Sequence, residues 1–226
     1  MGQISDKVKG QKSVYRIVSL AAIFSIGYAV LRYNIFGAVP WKDLPFYVLN
    51  KAISLTAIIL FTIGSSLKFE SKSKVQSTEK RLDISKKLEV ISFLLIKLHV
   101  IMSLMLFKSE IFAKFFEDNG TLSLFGGLSM VAGIISFVLL WDIKLNSRSK
   151  EKNIYTLLSL PKTLNMAMVF IIIHLFFMGY SGWITPSKWN GGLPPISLIA
   201  FIFSSFGLII NLFSKSEGST LNNQNI

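Results

Sequence analysis

Residues 88–107 read LEVISFLLIKLHVIMSLMLF. The run is long enough to cross a hydrocarbon core of about 30 Å, yet Lys97 and His99 stand near its middle. A charged side chain at that depth costs roughly 2.5–3.5 kcal/mol, so it faces a protein interior or a site rather than lipid. The chain has 2 histidines, and the other, His174, lies in a second apolar run, MVFIIIHLFFMGY at 168–180. Both histidines are therefore placed inside candidate membrane spans, and none lies elsewhere.

Composition agrees with a membrane protein. Of 226 residues 51% are hydrophobic and 16% charged, where soluble domains carry about 25% charge. That leaves too little polar surface to cover a soluble globular enzyme. Cysteine is absent, which excludes disulfides, thiolate metal sites and iron–sulfur clusters built by this chain.

The hydropathy pattern predicts an all-α, polytopic six-transmembrane-helix bundle. A basic segment at 1–16 precedes a six-helix domain at 17–213 with spans at about 17–31, 46–67, 88–107, 122–141, 163–183 and 196–213, and a short polar tail follows at 214–226. The first span has the charge pattern of a signal peptide but no convincing small-x-small cleavage site, so it is read as retained. Asp43 is placed to cap the second helix, and Pro161 suits the first turn of the fifth. Gly126, Gly127, Gly133 and Ser136 make the fourth span rich in small residues, which let helix backbones approach closely. The segments at 1–16, 68–89, 142–162 and 214–226 hold 17 of the 24 Lys and Arg residues. The positive-inside rule then places both termini in the cytoplasm. The formal net charge of +12 is a topology signal by this reading, and nucleic acid is not expected as a partner.

In this topology the third and fifth spans run in the same direction. His99 follows Lys87 by 12 residues and His174 follows Lys162 by 12, so each lies roughly 18 Å from the cytoplasmic end. Two imidazoles at one depth on parallel helices can ligate one haem iron from opposite faces. Such an iron has no open position, which suits electron transfer rather than oxygen binding. The competing account is that each histidine is a helix–helix hydrogen-bond partner. Neither zinc nor copper is suggested, because no Asp, Glu or Cys lies close in sequence to complete a site. A proton relay would carry an intramembrane carboxylate, and the spans have none away from their ends.

Six helices with histidines on the third and fifth resemble the ferric reductase-like transmembrane family. Its members include NADPH oxidases, ferric reductases, the six-transmembrane epithelial antigen metalloreductases and the haem subunit of a bacterial methionine sulfoxide reductase system. The resemblance covers about 16–213 and rests on helix count and histidine placement. LHVIMSL around His99 and GGLPPISL before the sixth span also read like bacterial members. The oxidases and yeast-type reductases carry two histidines on each of these helices. Here the second positions are not histidine, so the resemblance implies one haem b, as in the single-haem metalloreductase branch. It also implies the membrane haem subunit of an oxidoreductase in a bacterial inner membrane. No Gly-rich fingerprint follows a strand and no connection is long enough for a flavin domain, so a flavin or quinone cofactor stays open without being indicated by the sequence. The electron donor would be a separate flavoprotein or a quinol in the lipid bilayer.

Other residues have two readings each. Lys97 precedes His99 by two positions and points about 200° away from it on a helix. It either pairs with a propionate, flavin phosphate or quinone oxygen, or snorkels and bonds backbone carbonyls. Lys51 and Asn50, at the outer end of span two, either hold haem propionates or anchor the interface. Ser103, one turn beyond His99, is placed to line the same face. Trp183 and Trp189 fit an aromatic belt, and Met102, Met105 and Met178 fit packing. The rival overall reading is a cofactor-free membrane binding or transport protein with packing or substrate-contacting histidines. A third is an assembly factor that handles haem transiently.

Overall fold

In the computed structural model the described residues are 2–71, 78–146 and 154–220, with side chains described over 10–67, 79–145 and 162–213. They form six long helices: α1 (Gly2–Val30), α2 (Leu49–Ser71), α3 (Thr78–Leu106), α4 (Leu124–Asn146), α5 (Ile154–Trp183) and α6 (Ile196–Thr220). No strand occurs among the described residues. Each helix, with its flanking turns, includes a stretch long and apolar enough to cross a membrane. Only helices and closed barrels satisfy every backbone group in lipid, so the all-α bundle is the form such a sequence can take.

The helices outrun the apolar stretches. α3 already begins at Thr78 and α5 at Ile154, each about ten residues before the hydrophobic run. Hydropathy marks depth in lipid, whereas Leu, Glu, Lys and Arg sustain helix outside it equally well. Asp83 and Lys87 support one such polar turn, with a 2.6 Å ion pair across four residues. The acid is N-terminal to the base, the better orientation. The N-terminal segment likewise runs into α1 as one helix from Gly2, and the tail continues α6 to Thr220. Parts of the two basic connections, 72–77 and 147–153, lie outside the described residues, as does 221–226.

Two local expectations are corrected. Asp43 occupies the N-cap position but makes no capping bond. The chain enters α2 through a 3-10 turn (Trp41–Asp43) and a π-helical turn (Leu44–Val48) with Pro45 in its first turn, where proline removes one N–H that a cap would serve. Pro161 is not in a first turn, because α5 reaches back to Ile154. Its fixed φ is helical, so it deletes a hydrogen bond without ending the helix.

Five helices form a horseshoe in the order α3–α2–α6–α5–α4, and α1 packs outside against α2 and α3. α2 is the most buried helix, with 56% of its apolar window buried against 17–28% for the others. Leu55, Leu60 and Leu88 are fully buried there. Lipid supplies no hydrophobic drive between helices, so small residues and interhelical hydrogen bonds hold the bundle. Ser85 Oγ donates to the Gly64 carbonyl (2.7 Å), Ser92 Oγ to Ala57 (2.8 Å) and Thr62 Oγ1 to Phe203 (3.1 Å).

The two arms of the horseshoe, α3 and α4, do not pack along their length. At the end that carries the chain termini, Phe93 of α3 stacks on Phe137 of α4 and meets Trp141. At the other end the arms are joined by the 107–123 loop, where Phe107 packs on Phe115 and Phe116. The 186–195 loop closes the same end by docking on α1. Arg32 donates to the Leu193 carbonyl, Tyr28 to Pro194 (2.6 Å), and Asn190 back to Arg32 (3.3 Å).

Candidate functional site

The horseshoe encloses a cavity of about 260 Å³ whose walls include both His99 and His174. α3 supplies one histidine and α5 the other, so two residues 75 positions apart in the chain face one space. The wall is mostly aliphatic and aromatic, and no carboxylate lines it.

Both rings are tied back through Nδ1. His99 Nδ1 lies 2.7 Å from Asn50 Oδ1, and Asn50 Nδ2 donates to Ser103 Oγ at 2.9 Å. Ser103 Oγ is 3.4 Å from the same ring nitrogen. His174 Nδ1 lies 2.8 Å from the Ser129 backbone carbonyl and 3.1 Å from Ser129 Oγ. A carbonyl only accepts, so His174 Nδ1 carries the proton. Asn50 Oδ1 imposes the same tautomer on His99. Nε2 of each ring therefore has a free lone pair, and no residue among the described ones engages it. This is how a metal-ligating imidazole is prepared: one nitrogen donates to a carbonyl and the other is left for the metal.

Gly133 of α4 lets the ring of His174 lie there. A Cβ at this position would meet His174 Nδ1 at 2.9 Å and Cε1 at 3.3 Å. The small residues of span four thus do more than let helices approach. Gly133 makes room for an imidazole, and Ser129, fully buried, orients it.

A second feature is cationic. Lys51 and Lys114 both line the cavity. The Lys51 ammonium lies 5.3, 4.3 and 5.5 Å from the ring centroids of Tyr33, Tyr47 and Phe112, an aromatic cage that partly replaces water around a cation. Lys114, on the 107–123 loop, donates to the Met178 carbonyl at 2.7 Å. Its side chain is exposed on the loop, yet the protein packed around it desolvates the ammonium and lowers its pKa from 10.5 to about 8. Neither lysine is paired with a carboxylate among the described residues.

The residues expected at the site divide three ways. His99, His174, Lys51, Asn50 and Ser103 are brought together around the cavity. Asn50 takes a role beyond the expected one, since its amide bonds both His99 and Ser103. Lys97 is not at the site: its ammonium lies 4.3 Å from the Trp141 ring centroid and 5.2 Å from that of Phe93. It snorkels towards the α3 N-terminus and helps hold the α3–α4 clasp. Ser129, Gly133 and Lys114 were not singled out for the site. Ser129 could have been noticed as a hydroxyl within an apolar span, but Lys114 looks like any loop charge.

Trp183 Nε1 donates to Ser197 Oγ (3.0 Å) and Trp189 Nε1 to the Gly182 carbonyl (2.9 Å), so both indoles bond within the protein. Met102 is buried in packing and Met105 is exposed, while Met178 borders the cavity.

The donor set fits a haem better than a bare metal ion. Among the described residues no group of three or more His, Cys, Asp or Glu side chains gathers to hold an ion. Two imidazoles suffice when a porphyrin fills the other positions. An apolar wall with two unpaired cations at one end also matches a porphyrin with its acid groups. No family model matches the chain, and none of the curated proteins does.

Proposed function

We propose that this protein is an integral membrane haem protein of the ferric reductase-like kind, holding one haem b between α3 and α5 and passing electrons across or within the membrane. The observation that carries this reading is the pair of histidines on one cavity, each with Nδ1 bonded to a carbonyl oxygen and Nε2 left free. When bound, a bis-imidazole haem supplies reversible one-electron chemistry without an open site for oxygen.

The chain's own residues supply binding and orientation. His99 and His174 would hold the haem iron through their free Nε2 atoms. Asn50, Ser103 and Ser129 hold their tautomers and raise their basicity as donors. Lys51 and Lys114 would pair with the haem's acid groups, and the aliphatic wall would keep water from the site. Both termini lie in the cytoplasm by the distribution of Lys and Arg, which puts the lysine pair towards the outer face. The electron donor is a separate flavoprotein or a membrane quinol, and the membrane is a bacterial inner membrane.

The test is an absorbance spectrum of protein purified from haem-replete cells. A red-shifted Soret band with sharp α and β peaks on reduction is expected, lost in His99→Ala and in His174→Ala. Colourless protein, or a spectrum unchanged in both variants, refutes the reading and leaves a cofactor-free binding or transport protein.

A further inference from the structure

The horseshoe has an open side. α3 packs on α2, α2 on α6, α6 on α5 and α5 on α4, while α4 and α3 are bridged at their ends. One bridge is the Phe93–Phe137–Trp141 cluster with the Lys97 ammonium over it. The other is the 107–123 loop, whose Phe112, Lys114 and Phe115 roof the cavity. Between these bridges Leu104 of α3 and Ile134 of α4 both belong to the cavity wall, yet they are 65% and 53% exposed. The cavity is open over part of its boundary, and these two apolar residues, at once wall and outer surface, mark the side between α3 and α4 as an opening. On a membrane-spanning stretch the surface meets acyl chains, not water.

We propose that the cavity is loaded sideways from the bilayer, through the window between α3 and α4, by a ligand with a flat apolar body and an acidic end. The window is rimmed by aliphatic side chains, so the part of the ligand that passes it is apolar. The unpaired ammonium groups of Lys51 and Lys114 lie under the roof, so the acidic end comes to rest there by charge-assisted hydrogen bonds. Entry from the aqueous face would require the 107–123 roof to lift. That roof is folded on itself by Ser123 N–H on the Phe115 carbonyl (2.8 Å) and tied to α5 by Lys114 on the Met178 carbonyl. A haem dissolved in the membrane has the chemistry described. Its identity as the ligand rests on the function proposed above, but the route does not.

Cysteine is absent from the sequence, so Leu104→Cys/Ile134→Cys can be bridged selectively with a cleavable bis-maleimide. Haemin uptake by the apoprotein in lipid nanodiscs is followed by the Soret band. Bridging should slow uptake at least tenfold, with recovery on cleaving the linker, while a bridge between Leu20→Cys and Phe24→Cys on α1 has no effect. A second measurement avoids haem: a long-chain fatty acid with a diazirine on its chain is photolysed with the apoprotein. It should label the cavity-lining stretch around Met130 and Ser136, and the window bridge should block this. If haemin does not bind at all but the fatty acid labels the cavity through the window, the route stands and the haem reading falls. Uptake indifferent to the bridge, or a cavity unlabelled while the lipid-facing surface is labelled, overturns the route.

Discussion

Asn50 on α2 and His99 on α3 share a 2.7 Å hydrogen bond, and the other half of the same amide donates to Ser103 one turn further along α3. The amide thus reads both the ring and the next turn of its helix. Asn50→Leu leaves His99 free to rotate and to change tautomer. Loss of such an outer partner typically costs 10–100-fold in metal affinity, and a haem affinity lowered by about that factor is expected. Titration of apoprotein with haemin measures it. Asn50→Asp should retain haem and lower its midpoint potential, since a carboxylate makes the imidazole a stronger donor.

Gly133 provides a sharper steric test. Its Cβ would meet the His174 ring at 2.9 Å, whereas a Cβ at Gly127 would meet Leu122 at an ordinary 3.6 Å. Gly133→Ala should reduce haem content at least about tenfold, the scale of a displaced ligand, while helical circular dichroism is unchanged. Gly127→Ala should retain the wild-type spectrum.

Lys114 predicts a pH dependence. Burial lowers its pKa to about 8 from 10.5, so between those values the unfolded chain binds more protons at this site. The ligand-free fold gains stability from this group as pH rises through that window. Binding an acid group has the opposite sign, because it needs the ammonium form. Affinity for haemin should fall as pH rises through about 8, and that step should be absent in Lys114→Met. Haemin titrations from pH 7 to 9.5 check it.

Lys97 serves as the control. Its cation–π contacts are with the α3–α4 clasp and not with the cavity. Lys97→Met should leave the Soret band and potential unchanged and alter thermal stability by no more than about 1 kcal/mol, the scale of such a contact. A loss of haem would place Lys97 in the site after all.

Sequence alone determined the helices and their environment. A run such as 88–107 is apolar enough to need lipid, and in lipid a single chain segment satisfies its backbone only as a helix. The same reading isolated His99 and His174, because an ionisable group is costly at that depth wherever the helix packs. Tertiary structure decided the rest, since lateral packing between helices leaves no periodic mark when every face is apolar. It brought Asn50 against His99, and Ser129 and Gly133 of α4 against His174. It also turned Lys97 away and brought Lys114 from a loop beside Lys51. Each of those assignments depends on which helix stands next to which, and that is set by small residues and single hydrogen bonds rather than by hydropathy.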